Sequence, residues 1–316
     1  MHFSDCFVIL LIKTWAIAEN RMKMKNTSLI KLIASMAIFG TIGLAVVNIP
    51  LPRGFIAMVR GVVGALSLLL ILLLSGKRIS FAKIKKNIIP LALSGAFIGV
   101  NWILLFESYS HTSVSVATLA YYMAPVLVML ISATALRERV SAKSLVCIAI
   151  ALFGMLLVSG VFSGGVGDGR ELIGIALALG AALLYALATV INKRMPDLPA
   201  YDTSIVQLSV AFIVILPYTL LCENVWDVEW RVPTVLLLLL VGFVHTGLAY
   251  ALFFSSVKEL EGQTVAIFSY VDPCLSVLLS IIFLGDEPTF ELIAGSVLII
   301  GALIAAEIKL PNKRGK

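Results

Sequence analysis

The sequence predicts an all-α, polytopic membrane protein with ten transmembrane helices in two inverted five-helix repeats. The composition, the length of the apolar blocks and a similarity between the two halves of the chain lead to this fold class. Of the 316 residues, 60% are hydrophobic and 13% are charged, whereas soluble domains carry about 45–50% apolar and about 25% charged residues. The composition therefore excludes a soluble or a disordered protein.

Charge and patterning exclude further classes of protein. The net charge is +6, but the basic residues do not gather on one soluble face, so we expect no nucleic-acid partner. The apolar residues run in continuous blocks instead of alternating with polar ones, which excludes an outer-membrane barrel. The four cysteines have no metal-ligand spacing, and we expect neither a metal site nor a disulfide framework.

The apolar blocks have the length of transmembrane helices. A helix needs about 20 apolar residues to cross a hydrocarbon core of about 30 Å. Ten such blocks follow one another with short connections. We expect transmembrane helices at residues 29–48, 54–74, 88–107, 114–136, 144–163, 171–191, 203–222, 233–254, 263–284 and 292–308.

Lysine and arginine predict the orientation. With the N-terminus inside, the inner segments carry nineteen Lys and Arg residues, while the outer loops carry three, Arg53, Arg170 and Arg231. Because positive charge is retained on the cytoplasmic side, we expect a multi-pass protein of the cytoplasmic (inner) membrane with both termini in the cytoplasm.

The ends of the chain and the connection between the halves complete the predicted organisation. The apolar run at 7–12 is too short to cross the bilayer. Either translation starts at Met22 or Met24, or this run lies in the membrane interface. We expect a cytoplasmic N-terminal segment at 1–28, a first repeat at 29–163, an external linker at 164–170, a second repeat at 171–308 and a basic cytoplasmic tail at 309–316.

The two halves resemble each other when the sequence is shifted by 148 residues. Ten identities fall within 38 ungapped positions, among them Tyr122 on Tyr270 and Pro125 on Pro273. Five helices per half is an odd number, so the second half crosses the membrane in the inverted sense. Inverted repeats are typical of secondary transporters, which alternate access around a site near the midplane.

Several motifs also resemble one family. They are Arg60 in the second span, the segment Ala120-Tyr121-Tyr122-Met123-Ala124-Pro125-Val126 with Glu138 downstream, and Ser269-Tyr270-Val271-Asp272-Pro273 followed by Leu284-Gly285-Asp286. Over about residues 29–308 the chain resembles the EamA-type ten-helix carriers of the drug/metabolite transporter superfamily. The second repeat is similar to the family pattern SYLEP…LGE, with Asp at both acidic positions. The first repeat departs further, with Ala124 before the proline and Arg137 where the family has glycine.

The resemblance implies a non-enzymatic secondary transporter that exports small metabolites such as amino acids by alternating access. A multidrug or other solute exporter and a non-transporting membrane scaffold remain alternatives. The expected partners are a small-molecule solute, the lipid bilayer and, where transport is coupled, protons. No cofactor is expected, and the chain is either a monomer or a homodimer.

Polar residues inside the spans are the candidate site, because a charge at the bilayer centre costs about 2.5–3.5 kcal/mol on insertion scales. Arg60 either binds a substrate carboxylate or an internal acid, or reaches the headgroups. Glu107 and Asp272 are the candidates for proton coupling, against solvated or backbone-capping roles. Pro125 and Pro273 are the candidate gating residues, against plain structural kinks. The candidate substrate-binding residues are Arg60, Asn101, Trp102, Tyr121, Tyr122, His245, Tyr250 and Tyr270.

Overall fold

A computed structural model describes residues 26–46, 48–112, 114–158, 169–224, 230–279, 282–283 and 290–307. Within these ranges the regular structure is helical and no strand occurs. The helices are α1 Asn26–Val46, α2 Arg53–Leu74, α3 Phe81–Lys86, α4 Ile88–His111, α5 Val114–Tyr121, α6 Ala124–Ala135, α7 Ala142–Val158, α8 Gly169–Lys193, α9 Ala200–Cys222, α10 Val232–Val257, α11 Gly262–Phe268, α12 Val271–Leu279 and α13 Phe290–Glu307.

The long helices confirm the predicted all-α, polytopic membrane protein. In the part of the chain that the structure describes, six helices, α1, α2, α4, α8, α9 and α10, are long and apolar enough to cross a bilayer. Helices α7 and α13 are shorter apolar helices, and the predicted fourth and ninth spans are each divided in two. Most of the predicted N-terminal segment, linker and tail lies outside the described residues.

Several span boundaries differ from the prediction by a few residues. Helix α1 ends at Val46 instead of residue 48, and α4 continues to His111 instead of ending at residue 107. The extension of α4 has a physical reason. Glu107 and His111 are one helical turn apart and lie 3.4 Å from each other, so the polar end of the block still forms helix.

The divided spans are interrupted immediately before their prolines. Helix α5 ends at Tyr121 and α6 begins at Ala124, while α11 ends at Phe268 and α12 begins at Val271. Pro125 and Pro273 therefore lie in the first turn of the helix that follows each break. Proline is tolerated there because the first backbone N–H groups of a helix have no intrahelical acceptor.

Helices of the two halves pack against their counterparts. The pairs α2–α9, α6–α11 and α7–α13 each join equivalent spans, and the contact of α4 with α9 is matched by the contact of α10 with α2. Within the described residues, each half contributes three long helices, one divided segment and one shorter apolar helix, an odd number of five, so the second half enters the membrane from the face opposite to the first.

Polar contacts distinguish the two ends of the bundle. At one end, the Lys83 ammonium donates to the Asp197 carbonyl at 3.0 Å and the Arg194 guanidinium to the Ala135 carbonyl at 2.9 Å. We call this end, with the connections 75–80, 136–141, 194–199 and 258–261, the basic face. At the other end, the opposite face, the Glu223 carboxylate accepts the first N–H groups of α2.

Close backbone approach holds α7 against α13. A Cβ atom added at Gly154 would lie 2.7 Å from the Gly295 carbonyl oxygen, which is backbone and cannot rotate away. Small residues allow this approach between membrane helices, where association rests on packing. Gly301, also in α13, has open space in the direction of a Cβ.

We predict that Gly154→Ala destabilises the protein by about 1–3 kcal/mol, because overpacking forces the two helices apart. The matched variant Gly301→Ala adds the same methyl group to open space and leaves stability unchanged or slightly higher. Thermal unfolding of both purified variants in detergent checks this. Equal melting temperatures for the two variants would contradict the packing argument.

Candidate functional site

A cavity of about 370 Å³ lies between the two halves. It extends from Arg60 and Trp102, inside the spans, to Arg53 and Tyr109 at the opposite face. Its volume is that of a small-molecule site, and aromatic and aliphatic side chains form most of its wall. The other polar or aromatic lining residues include Phe39, Phe106, Thr118, Tyr121, Tyr122, Tyr185, Tyr250, Ser269, Asp272 and Ser276.

Arg60 is the buried cation of this cavity, with 9% of its surface exposed. Its Nε donates to the Thr246 hydroxyl at 3.0 Å, and its guanidinium carbon lies 4.8 Å from the centre of the Trp102 ring. Among the described residues, Arg60 forms no ion pair with a carboxylate. The hydrogen bond and the ring fix the side chain, while its charge remains uncompensated.

The partner of Arg60 is carried by a π-helix, Phe243–Leu248, inside α10. The Thr246 hydroxyl donates to the Val241 carbonyl five residues earlier, at 3.0 Å, and Thr246 is completely buried. A π-helical turn accommodates one extra residue, and such turns are frequent at functional sites. Thr246 was not among the site residues predicted from the sequence.

The extra residue is visible when the two halves are compared. Gly95 of α4 contacts Val210 of α9, and Gly242 of α10 contacts Val63 of α2. Both the glycines and the valines are 147 residues apart, so these contacts are equivalent.

One helical turn further along α4 and α10, equivalent residues of these two helices are 148 positions apart instead of 147. A Cβ at Gly99 would lie 3.0 Å from the Ala211 carbonyl, and one at Gly247 would lie 3.2 Å from the Gly64 carbonyl. Gly64 and Ala211 are still 147 residues apart, while Gly99 and Gly247 are 148 apart. The π-helix therefore absorbs one inserted residue, and this change of shift is the signal that could have revealed Thr246.

The counterpart of Arg60 in the second half is Gln207, 147 residues later. Gln207 is completely buried, donates to the Asn192 side-chain oxygen at 3.0 Å and also donates to Ser94. It is not among the residues that line the cavity. Two related positions therefore differ: one holds an uncompensated cation beside a cavity, and the other holds a neutral amide that donates to Asn192 and Ser94.

The structure brings most of the predicted site residues to the cavity. Its wall includes Arg60, Trp102, Tyr121, Tyr122, Pro125, Tyr250 and Asp272. Asp272 lies in the first turn of α12, and no hydrogen bond or ion pair of its carboxylate occurs within the described residues. It is thus an acid that lines the same cavity as Arg60 without a partner of its own.

The structure places other predicted residues behind the wall. The Asn101 amide donates to the Ala181 carbonyl at 2.6 Å, and the His245 ring lies 2.9 Å from the Thr41 hydroxyl. Tyr270 is completely buried and its hydroxyl donates to the Tyr122 carbonyl at 3.3 Å. Pro273 is not among the lining residues. Asn101, His245 and Tyr270 thus contact neighbouring segments of the chain instead of the cavity.

Glu107 lies near the opposite face and outside the cavity lining. Its carboxylate accepts the Tyr218 hydroxyl at 3.1 Å and lies 3.4 Å from the His111 ring. Its partners are thus Tyr218 and His111, which belong to α9 and α4, and Arg60 is not among them.

At the basic face, one carboxylate joins both halves. Glu138 forms an ion pair with Lys193 at the end of α8 and accepts the N–H of Gly262 at the start of α11. The preceding residue, Arg137, has φ of 57°, in the left-handed region that glycine adopts most readily. This is the position where the family pattern has glycine.

A second contact at the basic face involves Lys258, which follows α10. Its ammonium donates to the Leu198 carbonyl and, at 3.0 Å, to the Thr203 hydroxyl. Burial lowers the pKa of Lys258 to about 8, and the nearby Asp202 carboxylate opposes this shift. This contact joins the end of α10 to α9 within the second half, whereas Glu138 joins the two halves.

The fold and the cavity define a polytopic membrane protein with a solute-sized site between two related halves. The chain belongs to the EamA-like transporter family, whose sequence model matches residues 6–160 and 172–306. This confirms the predicted resemblance and the transporter class. The first match begins within the segment 1–28.

Individual relatives agree with this assignment. The chain is 30% identical over 298 residues to the uncharacterized transporter YxxF of Bacillus subtilis strain 168, with 93% of both chains covered. It is 28% identical over 299 residues to the uncharacterized transporter YetK of the same organism, with 91% of this chain and 89% of YetK covered. A solved crystal structure superposes with a TM-score of 0.81 at 18% identity, covering 89% of this chain and 96% of the other, which shows the shared fold.

We predict that Thr246→Val destabilises the protein by about 1–3 kcal/mol, because the buried Arg60 Nε loses its acceptor. Valine keeps the methyl group that contacts Gly64, so the hydroxyl alone is tested. Thr246→Ser keeps the hydroxyl and should retain more of the stability. Thermal unfolding in detergent compares the two, and an equal loss in both would show that the hydroxyl does not hold Arg60.

Proposed function

We propose that this transporter exports small, carboxylate-bearing metabolites, amino acids among them, across the cytoplasmic membrane by alternating access. The observation that carries the proposal is the buried Arg60, which lines a cavity without a carboxylate partner among the described residues. A buried charge without a partner is unfavourable. A solute that brings a carboxylate into the cavity would supply the missing partner.

Arg60 suits a carboxylate through its geometry as well as its charge. The guanidinium group presents N–H donors in a planar fork that matches the two oxygens of a carboxylate. Because the Nε is held by Thr246, the terminal nitrogens of the group remain for a ligand. Trp102 and Tyr250, whose rings meet edge to face at 6.0 Å, provide a rigid apolar wall beside it.

Asp272 is the proposed group for a proton or for the ammonium of an amino acid. Its carboxylate lines the same cavity and has no bonding partner among the described residues. A site with one cation and one acid is complementary to a zwitterion. A multidrug exporter that selects hydrophobic cations fits less well, because Arg60 repels a cation.

The two ends of the cavity support alternating access. The cavity reaches Arg53 and Tyr109 at the opposite face, whereas Glu138, Lys193 and Gly262 join the halves at the basic face. We assign the basic face to the cytoplasm by the positive-inside rule. This places both termini in the cytoplasm and makes the described conformation accessible from outside.

We predict that Arg60→Ala reduces solute uptake into proteoliposomes by at least tenfold, with a labelled amino-acid mixture as the probe. Arg60→Lys retains the charge but not the planar fork, so it should recover only part of the uptake. Arg78→Ala, which removes an exposed arginine at the basic face, is the matched control and should transport normally.

Thermal unfolding of each variant separates a transport defect from a folding defect. Normal uptake by a stable Arg60→Ala variant would contradict the proposed role of Arg60. An outward proton gradient, with the vesicle interior acidic, should stimulate uptake by the unmodified protein but not by Asp272→Asn, because a proton-coupled exporter exchanges its solute for protons.

We also predict that Glu138→Gln opens the cavity toward the basic face, because the neutral amide weakens the ion pair with Lys193. Ser276→Cys, introduced into a protein without other cysteines, places a thiol in the cavity wall. Labelling of this thiol by an impermeant reagent from the basic face should increase several-fold. The control Glu291→Gln, at an exposed position of α13, should leave the labelling unchanged, and no increase with Glu138→Gln would contradict the gate.

A further inference from the structure

A second arginine lines the cavity at its outer end. The guanidinium carbon of Arg53 lies 5.1 Å from the centre of the Tyr109 ring, as that of Arg60 lies 4.8 Å from the centre of the Trp102 ring. The two arginines are seven residues apart in α2, which is about two turns and about 10 Å along the helix. They therefore lie on one face of the helix, each held against an aromatic ring of α4.

Glu223, an acid at this end of α2, does not form an ion pair with Arg53. The Glu223 carboxylate lies at the start of α2, but it accepts the Gly54 N–H at 2.8 Å and the Phe55 N–H at 2.7 Å. Within the described residues, Arg53 forms no ion pair. A cation in the first turn of a helix is also opposed by the helix dipole. The stability of α2 thus does not account for an arginine at this position.

We propose that Arg53 and Tyr109 form a second, outer binding site for the carboxylate of the solute, in series with the deeper site at Arg60 and Trp102. The inference rests on the proposed function of Arg60. The deeper site is enclosed, so a carboxylate that binds there must first lose its hydration shell. At Arg53, which is exposed to solvent, a carboxylate can pair with a cation while it is still partly hydrated.

Because the two arginines differ in exposure, salt should affect solute binding differently at the two sites. Salt screens interactions between exposed charges, with a Debye length of about 10 Å at 0.1 M, but acts much less on buried ones. The contribution of Arg53 to binding should therefore decrease as ionic strength rises. The contribution of Arg60 should persist.

The test measures uptake of the labelled amino-acid mixture, supplied at the opposite face so that transport runs in the reverse of the export direction, at low and high ionic strength. We expect Arg53→Gln to raise the KM about three- to tenfold at low ionic strength with unchanged kcat. The difference should shrink in about 0.5 M salt. Arg53→Lys keeps the charge and should restore most of the affinity. Arg231→Gln removes another exposed arginine that does not line the cavity, and it should leave the KM unchanged.

An unchanged KM in Arg53→Gln at low ionic strength would overturn the outer site, as would an equal rise in Arg231→Gln. A loss of kcat together with a lower melting temperature in both Arg53 variants would also overturn it, because that pattern indicates a structural role. The two proposals fail separately. A normal Arg53→Gln beside an inactive Arg60→Ala removes only the outer site, whereas a fully active Arg60→Ala removes the proposed function.

Discussion

The interior must hold the Arg60 guanidinium group without a carboxylate beside it, and the helices packed around α2 supply the contacts that make this possible. Arg60 keeps its charge in a region where unpaired ions are strongly unfavourable. Its Nε is satisfied by a threonine hydroxyl, and its face lies against an indole ring. Both partners come from helices packed around α2, so the cation is fixed by the fold and not by a neighbouring charge.

The threonine reaches Arg60 because two helices approach each other closely. Gly64 of α2 and Gly247 of α10 face each other, and a Cβ at Gly64 would lie 3.0 Å from the Thr246 methyl group. Between membrane helices such approach depends on small residues. The π-helix then adds the residue that brings a hydroxyl to this contact. The close packing of α2 against α10 therefore also supplies the hydrogen-bond acceptor of Arg60.

The fold was predictable from the sequence for a physical reason, and so were Arg60 and Asp272 of the cavity wall, although Glu107, the third charged candidate, lies outside the lining. Long apolar blocks must form helices in a bilayer, because backbone groups find no water there. Arg60 and Asp272 were identifiable because ionised groups are rare in such blocks. The aromatic residues were harder, since Tyr250 lines the cavity and Tyr270 does not, although both lie mid-span in the second half. Which face of a helix meets a cavity depends on packing partners that no local pattern specifies. Thr246 was missed because a threonine in a membrane helix usually has no special role. Only its hydrogen bond with Arg60 distinguishes it, and the sequence does not show that bond.

The inserted residue in α10 also affects the relative free energies of the conformations of the protein. In a carrier built from two identical inverted halves, exchanging the conformations of the halves would convert one end state into the other. Those two states would have the same free energy. Here one half carries a π-turn and an arginine contact, whereas the other carries a regular helix and a glutamine network. Under the proposed alternating-access mechanism, the two end states therefore differ in free energy, and the unloaded protein has a preferred resting state.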